Sequence, residues 1–133
     1  MIEMSLARIL IRENSDQQVI FLKEKDGERS FPIIIGMFEA FEINRKITDI
    51  ETPRPMTHDL VRNVLKGLDA KLERVVVDAL REATFYAKLF VRYNDRELLI
   101  DARPSDAIAL AVAEKVPIFV EDSVLDEVVG QIE

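Results

Sequence analysis

Apolar residues alternate with polar ones along several short stretches of this chain, and that alternation limits its possible folds more than any other feature. The clearest example is residues 84–93, where Ala87, Leu89 and Val91 fall on one side and Lys88 falls on the other. A period of two is the spacing of side chains on one face of a β-strand. Much of the core must therefore be built on a sheet.

The hydrophobic periods predict the element order βββ-αα-βββ-α-β-α within one domain, residues 1–133. The predicted strands are residues 4–12, 18–24, 29–35, 72–80, 84–93, 96–101 and 117–121, and the predicted helices begin at Met37, Thr57, Ser105 and Ser123. Runs of strands separated by helices favour an α+β fold over a doubly wound parallel sheet. We therefore expect a mixed, mainly antiparallel sheet with the helices packed on it.

Periodicity also predicts which faces of the early elements are buried. Ala7 and Ile9 would share one face of the first strand. On the first helix, Phe41 would belong to the apolar face, whereas Glu42 and Lys46 would form an ion pair on the solvated side. The predicted apolar stripe of the second helix comprises Leu60, Val61, Val64, Leu65 and Leu68.

Composition excludes several kinds of site. The chain has no cysteine and one histidine, which excludes a disulfide scaffold, a cysteine nucleophile, a Cys-ligated metal and a multi-histidine metal site within one chain. It shows neither a membrane-spanning run nor a signal-peptide pattern, so we expect a cytoplasmic protein. A net charge of −7 lacks the basic footprint of most nucleic-acid binders. Phosphate would have to meet a local basic surface or carboxylate-held metal ions, or the partner is not a nucleic acid.

Two segments share a design: RPMTHDL (54–60) and DARPSDAIALA (101–111). Each contains Arg-Pro, then a hydroxyl residue, then an aspartate in the first turn of a predicted helix. Helix capping alone would explain this order. Proline stiffens the helix entry, Thr57 or Ser105 would cap it, and the aspartate complements the positive end of the helix dipole.

Catalysis is the alternative explanation, and it requires the two helix N-termini to converge. The candidate catalytic residues are then His58, Asp59, Asp101 and Asp106. His58 would act as a general acid or base, and the three aspartates would together hold Mg²⁺ or Mn²⁺, which keep bound waters and meet substrate phosphates. Arg54 and Arg103 would contact phosphate, because a guanidinium suits bidentate phosphate binding.

These two motifs resemble those of the bifunctional nuclease domain family, as do GMFEAFEI (36–43), PIFV (117–120) and VLDE (124–127). The resemblance covers nearly the whole chain, residues 3–130. It implies an α+β fold, hydrolysis of both RNA and DNA, and association into dimers or larger assemblies. The motif positions imply candidate functional residues at Glu39, Arg54, Thr57, His58, Asp59, Asp101, Arg103, Ser105 and Asp106. Of these, Thr57 and Ser105 join the two arginines as predicted substrate-binding residues.

Two functions stay open at this point. One is a low-specificity, metal-assisted nuclease that acts on RNA and DNA, which the resemblance favours. The other is a non-catalytic, oligomeric protein-interaction or regulatory module, which the acidic charge favours. A homo-oligomer is expected in either case, because Tyr86 and Phe90 alternate with Lys88 and Arg92 and give more apolar surface than one small sheet needs.

Overall fold

The computed structural model describes residues 1–132 and contains every predicted element in the predicted order. The strands are β1 Ile2–Leu10, β2 Gln17–Glu24, β3 Ser30–Gly36, β4 Lys71–Arg81, β5 Thr84–Tyr93, β6 Arg96–Ala102 and β7 Ile118–Val120. The helices are α1 Met37–Ile47, α2 Thr57–Gly67, α3 Pro104–Glu114 and α4 Asp122–Ile132. Glu133, the last residue of the predicted domain, lies outside the described residues. None of the helices in residues 1–132 has the length and apolar character needed to cross a membrane.

All seven strands belong to one sheet, in the order β3-β2-β1-β7-β4-β5-β6. Neighbouring strands are antiparallel except β4 and β7, which are parallel because α3 carries the chain back over the sheet before β7 begins. The predicted α+β class with a mixed, mainly antiparallel sheet is confirmed.

The sheet curls strongly around its core. The rings of Phe31 in β3 and Phe85 in β5 have centroids 5.5 Å apart, although four strands separate β3 from β5 in the sheet. Helix α3 packs inside this curve, and its residues 107–111 are all buried. Three of these five residues are alanines, whose small side chains allow the helix to approach the sheet closely. The N-terminal end of α3 is thereby fixed beside α1.

A β-bulge changes the predicted faces of β1. The pairing with β2 passes from Leu6 directly to Arg8, so Ala7 is an extra residue without a partner. As a result Leu6 and Ile9 both pack against the core and Ala7 is exposed. The prediction that Ala7 and Ile9 share one face was therefore wrong.

Helices α1 and α2 also bury different faces from those predicted. Phe41 is 50% exposed, whereas Glu42 is only 8% exposed and the side chain of Lys46 only 9%. These two charged residues lie inside because α2 supplies a partner for each: Asp59 pairs with Lys46, and His58 Nδ1 lies 3.7 Å from Glu42 Oε1. Helix α2 has no fully buried residue, and only Val61 and Leu65 of its stripe pack against the core. The stripe residues that remain more than half exposed are Leu60, Val64 and Leu68.

Candidate functional site

The first turns of α1, α2 and α3 meet at a cavity of about 230 Å³, here called the N-terminal cavity. Its lining residues are Phe38, Glu39, Glu42, Met56, Thr57, His58, Arg103 and Asp106. The predicted convergence of two helix N-termini is therefore present, and α1 adds a third. A helix N-terminus carries partial positive charge and unpaired backbone N–H groups. Three such ends at one cavity favour an anion such as phosphate, and the three carboxylates that line the same cavity (Glu39, Glu42 and Asp106) oppose that preference.

His58 is held between two carboxylates at this cavity. Its Nε2 lies 2.8 Å from Asp106 Oδ1, and its Nδ1 lies 3.7 Å from Glu42 Oε1. The imidazole is only 14% exposed, and Glu42 is buried. The contact with Asp106 fixes the ring orientation and leaves Nδ1 without a hydrogen bond to a protein atom within the described residues.

Asp106 is itself held by an arginine. Arg103 donates from Nε to Asp106 Oδ2 at 2.7 Å and from Nη2 to Oδ1 at 3.0 Å, and it donates from Nη1 to Glu39 Oε1 at 3.2 Å. Burial raises the pKa of Asp106, but the hydrogen bonds from Arg103 and His58 outweigh burial and lower it overall. Asp106 is therefore an ionised carboxylate that can orient His58. The Arg103 side chain is 62% exposed, which leaves its outer edge accessible to a ligand.

A second group of ion pairs joins α1 to α2. Asp59 accepts hydrogen bonds from Lys46 Nζ, from Arg45 Nη2 at 3.3 Å and from the backbone N–H of Met56 at 3.0 Å. Burial raises the pKa of Asp59, but these hydrogen bonds outweigh it and lower the pKa to about 2. Arg45 also donates to Glu42 Oε1 at 2.5 Å. Glu42 thus links this group to His58.

The predicted catalytic residues are only partly brought together. His58 and Asp106 are in contact, and Asp59 lies in the neighbouring group of ion pairs. Asp101 lies elsewhere: its carboxylate is 76% exposed and pairs with Lys88 Nζ at 3.3 Å. The alternation of side chains along β6 explains this position. Asp101 is in register with Lys88, on the face of the sheet opposite to the core residue Ala87.

The geometry also bears on the predicted metal site. Within residues 1–132, no group of three or more His, Cys, Asp or Glu side chains is arranged to hold a metal ion. Asp59, Asp101 and Asp106 each pair with cationic side chains of their own, so these three aspartates do not fit one shared ion. A requirement for Mg²⁺ or Mn²⁺ stays a prediction.

The predicted substrate-binding residues also separate. Thr57 and Arg103 line the N-terminal cavity, whereas Arg54 is exposed and does not line it. Ser105 is buried and lines another cavity, beside β3 and the β4–β5 turn. Neither hydroxyl caps its helix: Thr57 is the first residue of α2, and Ser105 is the second residue of α3. The capping hypothesis was wrong for both, and among the paired motifs Asp59 alone bonds an N-cap backbone group.

The residues that sequence reasoning missed are Glu42, Arg45 and Lys46. Their spacing places both cations on the face of α1 that carries the glutamate, a pattern that usually indicates a solvated ion pair. The signal that could have revealed their burial is the matching aspartate in the first turn of α2. That match depends on the packing of α1 against α2, which the sequence does not state.

A protein-family model and several known proteins match most of this chain. A family model described as the bifunctional nuclease domain matches residues 20–133. An uncharacterised protein of Mycobacterium tuberculosis is 41% identical over 123 residues, which are 92% of this chain and 73% of that protein. Bifunctional nuclease 2 of Oryza sativa is 30% identical over 85% of this chain and 36% of its own length. Bifunctional nuclease 2 of Arabidopsis thaliana is 30% identical over 74% of this chain and 31% of its own length.

Proposed function

We propose that this chain, which belongs to the bifunctional nuclease domain family, hydrolyses phosphodiester bonds of RNA and DNA at the N-terminal cavity. One observation carries this proposal: three helix N-termini meet around a histidine that is held between two carboxylates. The helix ends favour a phosphate group, and the histidine supplies a group that accepts or donates a proton. The nuclease names of the rice and Arabidopsis relatives support the same reaction.

His58 is the proposed general base. In the neutral tautomer that donates Nε2–H to Asp106, its Nδ1 accepts a proton from the water molecule that attacks phosphorus. The new P–O bond then forms, the bond to the leaving oxygen breaks, and that oxygen takes up a proton from solvent. His58 afterwards releases its proton to solvent. Asp106 is a positioning residue in this mechanism, because it fixes the ring through the contact with Nε2.

Arg103 and Thr57 are the proposed phosphate contacts. A guanidinium has five N–H donors, and Asp106 and Glu39 occupy three of those of Arg103. The remaining donors are accessible at the exposed side of the residue. Thr57 lines the same cavity. Contacts of substrate with Arg54 and Ser105, which lie outside this cavity, stay predictions.

The first test is cleavage of single-stranded RNA and DNA by the purified protein with Mg²⁺, with Mn²⁺ and with EDTA. We expect both substrates to be cut, since the proposed contacts address the phosphodiester group and not the sugar or base. No step of the mechanism passes through a metal ion, and loss of activity in EDTA would show that one is needed. Failure to cut either substrate under all three conditions would contradict the nuclease proposal.

The cytoplasmic location expected from the sequence stays a prediction.

A non-catalytic interaction module is the second candidate, and one observation favours it. The charged residues of α1, α2 and α3 already satisfy one another, as Glu42, Asp59 and Asp106 each have a cationic partner. Such pairing is what residues that only fasten three helices together would show. An inactive but well-folded protein in the cleavage test would select this alternative.

We also propose that the chain forms a homo-oligomer. Two exposed apolar features support this: the α2 stripe of Leu60, Val64 and Leu68, and Leu99, which is 59% exposed on the outer face of the sheet. Apolar surface of this kind commonly marks a protein–protein contact, and closed symmetry is the usual arrangement.

Light scattering tests the assembly. At micromolar concentration we expect a mass of two or more chains, each of 15.2 kDa. Val64→Lys should dissociate an assembly built on the α2 stripe, and Leu99→Lys should dissociate one built on the sheet face. A mass of one chain across the whole micromolar range would contradict the proposal.

A further inference from the structure

Phe38 is the most exposed large apolar side chain in the part of the chain that the structure describes, at 84%. It lies in the first turn of α1 and lines the N-terminal cavity together with His58 and Arg103. A side chain stabilises the fold through the apolar surface that it buries, so this ring contributes little to stability. Its exposed surface is accessible to a ligand of the cavity.

The faces of the Phe38 ring are not covered by other side chains that stack. On the sheet, the rings of Phe21, Tyr86 and Phe90 each lie under an arginine guanidinium, 4.1–5.2 Å from the ring centroid. Among residues 1–132, no arginine and no second aromatic ring is stacked on Phe38. Its π-face is therefore available to another flat ring.

The size of the N-terminal cavity determines which part of a substrate meets this ring. Its volume of about 230 Å³ is below the roughly 300–1,000 Å³ of sites that enclose a whole small molecule. A phosphodiester group enters such a cavity, but the bases on either side of it lie over the rim. Only two of the eight lining residues are apolar, namely Phe38 and the half-exposed Met56. These two side chains are the apolar surface available to a base beside the phosphate.

Charge gives this site little affinity for a nucleic acid. The chain carries a net charge of −7, and three carboxylates line the cavity beside a single arginine. Most nucleic-acid binders gain affinity when cationic side chains neutralise phosphates and release counter-ions. Stacking of a base on an aromatic side chain does not depend on charge and contributes about fivefold to 100-fold in affinity per base. An exposed aromatic ring at the cavity supplies what the charge does not.

We infer, on the basis of the proposed nuclease function, that Phe38 stacks on a nucleobase next to the scissile phosphate and thereby selects unpaired nucleotides of single-stranded RNA or DNA. A duplex keeps its bases stacked on one another, so a base must leave the stack before it meets Phe38. Every base has a flat face, and we therefore expect no strong sequence preference.

A contact between two copies of the chain is the other use of an exposed ring. The residues that surround Phe38 at the cavity oppose it, because Glu39, Arg103 and Asp106 are charged. Charged residues are depleted at the centre of protein–protein interfaces. A base joined to a phosphodiester group matches the combination of an apolar ring and a polar cavity better.

Fluorescence anisotropy with a labelled single-stranded oligonucleotide tests this contact, in the His58→Gln background so that the strand stays intact. Phe38→Ala and Phe38→Leu should each weaken binding at least about fivefold, whereas Phe38→Trp should retain it, because only a flat ring stacks. Phe41→Ala is the matched control: it removes a half-exposed phenylalanine of α1 that does not line the cavity, and affinity should not change.

Two further ligands show whether the ring contacts a base. A duplex of the same sequence should bind at least about fivefold more weakly than the single strand, and Phe38→Ala should remove this difference. A strand of abasic nucleotides should bind equally with and without the ring of Phe38. Equal affinity of Phe38→Ala and its parent for the single strand, an equal loss in Phe41→Ala, or no binding of any strand would overturn the stacking contact.

Cleavage and mass separate this contact from the other proposals. Phe38→Ala should slow cleavage of a subsaturating single strand at least about fivefold, with an unchanged mass in light scattering. Cleavage at the parental rate would overturn the contact and leave the nuclease proposal standing. Binding that depends on Phe38 without cleavage by the unaltered protein would do the reverse. A lower mass of Phe38→Ala would also overturn the contact, because the ring would then join two chains.

Discussion

Asp59→Ala is expected to lower the free energy of unfolding by about 3–5 kcal/mol, the cost of breaking a largely buried ion pair by removing one partner. The substitution leaves Lys46 and Arg45, both mostly buried, with Glu42 as their shared counter-ion. It also removes the acceptor for the backbone N–H of Met56 at the start of α2. Urea denaturation at neutral pH measures the loss.

Asp126→Ala is the matched control. Asp126 pairs with Arg29 at 3.2 Å, but its side chain is largely exposed, so its removal should cost less than about 1 kcal/mol. Equal losses in the two variants would mean that the ion pairs around Asp59 are no more than surface contacts.

The same residue gives the protein a pH dependence of known sign. The pKa of Asp59 is about 2 in the folded chain, below the ordinary value of 3.8, so its charge stabilises the fold above pH 4. As the pH falls, the unfolded chain takes up this proton first, and about 2 kcal/mol of stability is lost as the pH falls through 2. The gap in unfolding free energy between the unaltered protein and Asp59→Ala should therefore narrow below pH 4. A gap that stays constant from pH 5 to pH 3 would contradict this assignment.

The fold was predictable from the sequence because it rests on local signals. Residues 84–93 keep a period of two along their core face, at Ala87, Leu89 and Val91, and the observed strand has the predicted bounds. The buried face of β1 was predicted wrongly because the bulge at Ala7 is set by pairing with β2. One extra residue in a strand moves every later side chain to the opposite face of the sheet. Such pairing is a long-range property that the period of a single strand does not contain.

The site was less predictable, because it depends on which charges meet between elements. The two Arg-Pro motifs led to His58 and Asp106, since both lie in first helical turns that converge. Asp101 belongs to the second motif by sequence, but strand alternation turns it away from the cavity. Glu42 was placed on the solvent side because a charged residue on a helix is usually exposed. Its burial is tolerable because Arg45, Lys46 and His58 all lie beside its carboxylate.

His58→Gln is expected to reduce phosphodiester hydrolysis by about 10²–10⁴-fold, the usual contribution of a positioned acid or base. Glutamine retains a hydrogen-bond donor for Asp106 but does not exchange a proton as imidazole does. The fold and the phosphate contacts through Arg103 should therefore persist. Asp126→Ala serves again as the control, since Asp126 does not line the N-terminal cavity, and its activity should equal that of the unaltered protein.

The most direct measurement is the single-turnover cleavage rate of a saturating, end-labelled single-stranded oligonucleotide, taken for the unaltered protein and for His58→Gln. Each protein is purified identically, and oligonucleotide affinity is measured in parallel by fluorescence anisotropy. Proton transfer by His58 predicts a rate at least about 100-fold lower in the variant, with affinity changed by only a few-fold. Equal cleavage rates in the two proteins would contradict proton transfer by His58, because cleavage would then come from another site or another protein.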